Sequence, residues 1–147
     1  MAQTGERNDP YSAFNFIIEI DGFDDAVAGF SECSGLTTET DAIEYRNGNE
    51  DITVRKLPGL KKFTNIVLKR GYTDNKALWE WRKTVMDGKT ERKGGAIVLL
   101  DEARQEALRW NFREGWPSKW EGPTLNAKNN EVAIESLEIA CESIELE

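Results

Sequence analysis

The sequence predicts a mainly β protein: an antiparallel β-barrel or sandwich with one α-helix flanking it at about residues 75–87. Three observations carry this reading. Apolar and polar residues alternate with period 2 in several short runs, which gives a strand one buried face. Turn residues punctuate those runs at Asp21-Gly22, Asn47-Gly48 and Leu57-Pro58-Gly59. Only one segment combines helical spacing with stop and start signals.

The elements follow in order. Residues 1–12 are polar, hold Asp9-Pro10, and read as an arm that orders on assembly. Phe14, Phe16, Ile18 and Ile20 then alternate with Asn15, Ile17, Glu19 and Asp21, as a strand with one buried face. Ala26 to Cys33 offers a second short strand, and Leu36 to Tyr45 a further extended run. Asn47-Gly48 is the strongest hairpin signal, because both residues tolerate the positive φ of a type I′ turn. A two-residue turn there would pair Ile43 with Ile52 and Tyr45 with Glu50. Residues 46–62 then read as a protruding hairpin or long loop with a basic stem, Arg55-Lys56 and Lys61-Lys62. Phe63 to Tyr72 returns as a strand.

The helix has Asp74 as its expected N-cap, Leu78, Trp81 and Val85 on one face, and Gly88 to close it. Lys89 to Gly95 reads as a basic, glycine-bearing loop. Ile97 to Asp101 is an apolar strand, residues 102–106 a hairpin connection, and Leu108, Trp110 and Phe112 alternate in the next strand. Towards the end, Ile134, Leu137, Cys141 and Ile144 have helical spacing, while Leu137, Ile139 and Cys141 have strand spacing. A bulged strand and an amphipathic helix both fit, and periodicity slightly favours the helix.

A chain of 147 residues with 39% hydrophobic and 31% charged residues fits a single domain over 1–147 with one sizeable core. No stretch approaches a membrane span, and the N-terminus lacks a secretory leader, so synthesis and folding are expected in the cytoplasm. Cys33 and Cys141 read as reduced, buried small hydrophobes. The net charge of −8 disfavours stable nucleic-acid binding. Its distribution is uneven: residues 1–54 hold 12 acids and 2 bases, residues 55–93 hold 4 acids and 12 bases, and residues 94–147 hold 11 acids and 5 bases. Such a chain can offer complementary patches to copies of itself, or mix its signs over one solvated surface.

Catalysis needs a base, nucleophile or metal held in a constellation, and the sequence has no histidine. Asp24-Asp25 and Glu50-Asp51 have the look of solvated turn charges. Residues 21–25 lack calcium-loop spacing, and Gly94-Gly95 lacks the helix that a phosphate loop needs. No catalytic, metal or cofactor site is expected. Trp116, Pro117 and Trp120 could line a sugar or peptide groove in a monomeric β-sandwich binding module. The plainer reading buries them under a loop or at a subunit contact.

A set of segments in fixed order then carries a family likeness. They are Asn8-Asp9-Pro10-Tyr11 before Phe14-Asn15-Phe16, and Gly29-Phe30-Ser31-Glu32-Cys33-Ser34-Gly35-Leu36. Next come Glu44-Tyr45-Arg46-Asn47-Gly48-Asn49, Leu57-Pro58-Gly59-Leu60, Leu68-Lys69-Arg70-Gly71 and Leu78-Trp79-Glu80-Trp81. Trp110-Asn111-Phe112, Trp116-Pro117-Ser118-Lys119-Trp120 and Glu131-Val132-Ala133-Ile134-Glu135 complete it. In this order the chain resembles the inner-tube proteins of contractile-tailed bacteriophages and of phage-tail-like contractile injection systems.

The resemblance implies a structural protein that forms six-fold rings stacked into a hollow tube, with neighbouring sheets merging into its wall. It implies a strand from Glu131 to about Ile144. Implied partners are other copies of the chain, a sheath protein, baseplate or tube-initiator and terminator proteins, and a cargo of effector protein or DNA. Membranes would be met only by mechanical puncture. Contacts between copies are expected at Asn8, Asp9, Pro10 and Tyr11, and at Arg46, Asn47, Gly48, Arg55, Lys56, Pro58, Gly59, Lys61 and Lys62.

Overall fold

A computed structural model describes residues 2–4, 7–23, 29–46, 48, 54–128 and 130–147. Two short strands open the chain, β1 (Ala2–Thr4) and β2 (Arg7–Asp9), and they pair with each other. The main sheet uses β3 (Phe16–Ile20), β4 (Glu32–Ser34), β7 (Ile66–Gly71), β8 (Lys93–Leu100), β9 (Glu106–Glu121), β10 (Ile134–Ala140) and β11 (Ser143–Leu146). Strands β5 (Thr38–Tyr45) and β6 (Arg55–Phe63) form a separate hairpin, and helix α1 (Ala77–Met86) follows β7.

Hydrogen bonding runs β3-β8-β9-β10-β7-β4, all antiparallel, with β11 also on β9. The sheet folds over along β9. Residues 106–115 of this 16-residue strand pair with β8, and residues 116–121 pair only with β10. Glu114 adopts φ 54° at the bend, and the β8–β9 register slips between Lys93 and Gly95. Opposite, β10 slips by one residue against β9 between Glu138 and Ile139, and from Ile139 onward one register carries across the break at Cys141–Glu142 into β11. The two halves therefore face each other, and one core joins Ile18 and Ile97 from the first half to Leu68, Leu137 and Ile139 from the second.

Phe112 fills the fold of the sheet. A Cβ on Gly95 would stand 2.3 Å from the Glu19 carbonyl oxygen and 2.7 Å from the Phe112 ring. A Cβ on Gly115 would lie 2.9 Å from both the Lys93 carbonyl oxygen and that ring. Only glycine lets the ring and the two backbones approach so closely.

The helix closes one side of the core with Leu78 and Trp81, both buried. Phe23 meets the Trp81 ring edge-on at 5.5 Å, and the indole N–H donates to the Glu91 carbonyl at 2.7 Å. Asp74 is not its cap. The helix starts two residues later than expected, and Asn75 Oδ1 accepts from the Ala77 N–H at 2.9 Å. At the other end Gly88, with φ 78°, donates to Val85, and Lys89 donates to Thr84, the paired bonds of a Schellman ending.

Other expectations shift. Phe14 is 83% exposed and Asn15 is buried, the reverse of the alternation assumed for the first strand. The Asn15 amide donates to the Asp101 carbonyl and its oxygen accepts from Arg104, so the polar group has partners inside. Lys93 to Gly95 belong to β8 and not to a loop. The expected strand from Phe63 to Tyr72 is divided, since β6 ends at Phe63 and β7 starts at Ile66. Of the strand expected at Ala26 to Cys33, residues 26–28 lie outside the described set, residues 29–31 are not strand, and β4 begins at Glu32. The C-terminal ambiguity resolves to strands, against the bare periodicity.

Gly95→Ala should destabilise the chain by about 3 kcal/mol or more, since backbone as well as side chain must yield. Urea unfolding followed by tryptophan fluorescence measures it, and a change within about 0.5 kcal/mol would refute the packing account.

Candidate assembly surface

The hairpin is where the chain departs from its own core. Pairing of Glu32 with Lys69 in β4–β7 continues in the same register into Thr38 with Phe63 in β5–β6. The hairpin thus extends two sheet strands beyond the body, and every residue of β5 is exposed. At the neck, Thr64 Oγ1 donates to the Gly35 carbonyl at 2.8 Å and the Thr64 N–H to the Thr37 carbonyl at 3.2 Å. Gly35 takes φ 92°, and a Cβ there would stand 2.0 Å from the Asn65 carbonyl oxygen. The neck is tightly drawn.

The turn expected at Asn47-Gly48 does not set this register. Ile43 pairs with Leu57 and Tyr45 with Arg55, in place of Ile52 and Glu50. The connection runs over 46–54, of which Asn47 and residues 49–53, with Ile52 and the Glu50-Asp51 pair, lie outside the described residues. Residues 55–62 of the segment read as a protruding hairpin or long loop, 46–62, are thus in strand β6. Pro58 stands opposite Ala42, tolerated because the hairpin has free edges, and the register slips beside Asp41. Gly59 leaves room for Ile43, whose Cγ1 would be 3.1 Å from a Cβ there.

Charge on the hairpin is divided between its strands. Glu39, Asp41 and Glu44 lie on β5, while Arg55, Lys56, Lys61 and Lys62 lie on β6. Lys62 reaches Asp41 at 3.1 Å, and Glu44 stands opposite Lys56. Two bases of the stem are thus set against acids of their own hairpin, while Lys61 stands opposite Thr40 and Arg55 opposite Tyr45. Apolar side chains are uncovered as well: Ile43, Tyr45, Leu57 and Leu60, the last 76% exposed. Sequence alternation alone gave no sign that these side chains would lack a core to enter.

The remaining expected contact residues are placed apart. Asn8 and Asp9 lie in β2, whereas Pro10 and Tyr11 line a small recess with Phe14, Asn15 and Leu100. Arg46 and Gly48 are exposed beyond the end of β5. The structure joins the β6 residues in one hairpin but does not bring 8–11 into it.

The tryptophans expected as a possible groove lie in β9. Pro117 is fully buried, and Trp120 packs against the core with its N–H donating to Glu135 Oε2 at 3.1 Å. Trp116, beside inward-facing Pro117, stands opposite Ala140 on the other face. The two rings do not share a groove. Glu135 is also paired with Arg70 inside the protein, and Arg70 donates to the Asn75 carbonyl at 2.9 Å. This buried network holds β7, β10, β9 and the start of the helix together. Among the described residues no group of three or more histidine, cysteine, aspartate or glutamate side chains could hold a metal ion. No described helix is long and apolar enough to cross a membrane.

With this geometry in view, comparison with known proteins is informative. Residues 12–145 match the model of the T4-like virus tail tube protein gp19. The chain belongs to that tail tube protein family. Curated protein sequences give no match. A chain of the PVC sheath-tube complex, an extracellular contractile injection system in its extended state, is 25% identical; the alignment covers 94% of this chain and 91% of that one, with a TM-score of 0.83. A chain of the anti-feeding prophage tube-terminating cap is 26% identical over 99% of this chain and 95% of that one, at a TM-score of 0.86. Hcp1 from Flavobacterium johnsoniae, at 17% identity over 90% and 94% and a TM-score of 0.56, shares the fold. This tail tube protein thus has a β body like those of its neighbours, and its C-terminal end is strand, though as β10 and β11 in place of the one run from Glu131 to about Ile144 that the resemblance implied.

Cys33 and Cys141 are free and half-buried. Burial pushes the Cys33 thiol up to about 11 and raises Cys141 as well. Both should resist iodoacetamide at pH 8 in the folded protein and react once urea is added. Because the folded Cys33 pKa lies above the unfolded one, its contribution to stability should be lost as pH rises from about 9 to 11. Cys33→Ala should remove that part of the pH dependence in urea titrations.

Proposed function

We propose that the protein is a structural subunit of the inner tube of a contractile particle, a phage tail or an injection system. Copies close into six-fold rings, and the rings stack into a hollow conduit that sheath contraction drives through a target envelope. The observation that carries this reading is the hairpin: strands β5 and β6 hold Ile43, Tyr45, Leu57 and Leu60 in water, with no body of their own chain behind them. Covering them on another copy would gain about 1 kcal/mol for each half-exposed side chain.

Topology supports ring closure. Each half of the folded sheet has four strands in alternating direction, β3-β8-β9-β11 and β9-β10-β7-β4. With an even number, the edge of one copy meets the opposite edge of a rotated copy antiparallel, and free edges disappear. The contacts would use these edges within a ring, and Asn8 to Tyr11 with the hairpin between rings. A sheath, baseplate or initiator and terminator proteins, and a cargo of protein or DNA, complete the assembly; relatives occur in sheath-tube and tube-terminating complexes. The role is mechanical, and no residue is assigned catalysis.

Purified protein in negative stain should show rings or tubes of uniform width. A chain that stays monomeric at high concentration, baseplate proteins included, would defeat the reading. Changing Lys61 and Lys62 together to Glu should slow tube growth at least tenfold while circular dichroism and melting of the monomer stay the same. The Lys62–Asp41 pair would be lost, β6 would lose its net positive charge, and the new acid at 62 would stand opposite Glu39.

A further inference from the structure

A second apolar surface lies at the end of the sheet away from the hairpin. Strand β7 ends at Gly71, opposite Ile134 at the start of β10, and the Tyr72 N–H donates to the Ala133 carbonyl at 2.8 Å. Beside this junction is a recess of about 300 Å³ lined by Leu125, Glu131, Val132 and Ile134 among others. Leu125 is 82% exposed and Val132 78% exposed. The surface continues through exposed Tyr72, whose ring lies 6.5 Å from Trp120, to Trp79 on the helix, 4.9 Å from Trp120. The core uses none of Leu125, Val132 or Trp79.

Recess and hairpin sit at opposite ends of the same strands. The hairpin leaves from the C-terminal end of β4 and the N-terminal end of β7, while the recess lies where β7 ends and β10 begins. Their charges are also opposed. Glu131 lines the recess, Glu121 ends β9 opposite Ser136 two residues past Ile134, and Asp74 follows Tyr72 by two residues, with Lys128 the one base of the 122–133 connection. The outer half of the hairpin carries Arg46, Arg55 and Lys56 beside Glu44.

We propose that the recess around Leu125, Val132 and Ile134 receives the outer half of the β5–β6 hairpin of a second copy, with Tyr45 and Leu57 entering it. The proposal rests on the tube reading and names the surface that takes up the arm. A hairpin whose strand β5 has eight residues projects about 25 Å, enough to leave one copy and reach the next. Arm and receiver are different surfaces, so the contact is heterologous. Each copy that docks leaves a fresh recess or a fresh arm, and the contact repeats along an axis without limit. This is the geometry of stacking, as distinct from closure within a ring.

Two surface variants of the full chain test it, Val132→Lys and Leu57→Glu, each checked for an unchanged monomer by circular dichroism. Each alone should form rings that do not stack, with tube growth in light scattering at least tenfold slower. Mixed one to one, the intact arms of the first should enter the intact recesses of the second, giving paired rings in negative stain but no long tubes. A photoreactive phenylalanine placed at position 57 should cross-link to 122–134 or Tyr72 of another copy. Tubes of normal length and rate from Val132→Lys would overturn the proposal, and so would cross-links that fall elsewhere. Normal tubes that no longer take up the sheath protein would assign the recess to the sheath and overturn it too. A wild-type chain that never forms rings would remove the tube reading itself.

Discussion

Phe112 sits where β9 leaves one half of the sheet for the other, its ring pressed over Gly95 and Gly115, where a Cβ would fall within 3 Å of it. Everything else follows from that bend. Because one strand serves both halves, their inner faces are forced together over a single cluster of isoleucines, leucines and Trp81. A continuous strand also makes the two halves rigid with respect to each other, since no loop joins them at the fold. Packing at a bend has little tolerance, and glycine at both contact points is the form that intolerance takes.

The second constraint is polar. Arg70 and Glu135 are both buried, and each finds further partners in Asn75 and Trp120. A buried ion pair adds little net stability over an apolar substitute, but mispairing would leave a charge stranded in the core at a cost of about 3–5 kcal/mol. That penalty holds β10 against β7 in one register. The same register runs outward through the Gly35–Thr64 neck into the hairpin, so the core of the protein aims the arm. A rigid body with a fixed arm suits a particle built from identical contacts.

Local signals failed where longer pairings opposed them. Asn47-Gly48 favours a two-residue turn by a margin of order 1 kcal/mol, whereas the β4–β7 and β5–β6 ladders settle the pairing over many residues. Phe14 and Asn15 exchanged places because Asn15 finds partners in Asp101 and Arg104, and Phe14 precedes the first residue paired with β8. The N-cap position falls on Lys76 and not Asp74, and Asn75 just before it takes the Ala77 N–H. The tryptophan pair on β9 was divided by the bulge opposite Glu138 and Ile139, which turns Trp120 to the face of Pro117 and leaves Trp116 on the other.

Period-2 patterning, turn residues and one capped amphipathic segment were enough to establish a β body with a single helix. The ordered motifs along the chain were enough to point to the tube family. Those properties are written in local spacing and in residue order. The basic run at Arg55 to Lys62 was also visible as such, but not the acidic strand it would face. Which apolar residues remain in water could not be read in this way, because alternation assigns residues to faces without saying whether a face has a partner. Ile43, Leu57, Leu125 and Val132 alternate or cluster no differently from core residues. Only the path of β9 and the outward run of the hairpin left them without cover, and it is these residues that turn a folded subunit into a candidate for assembly.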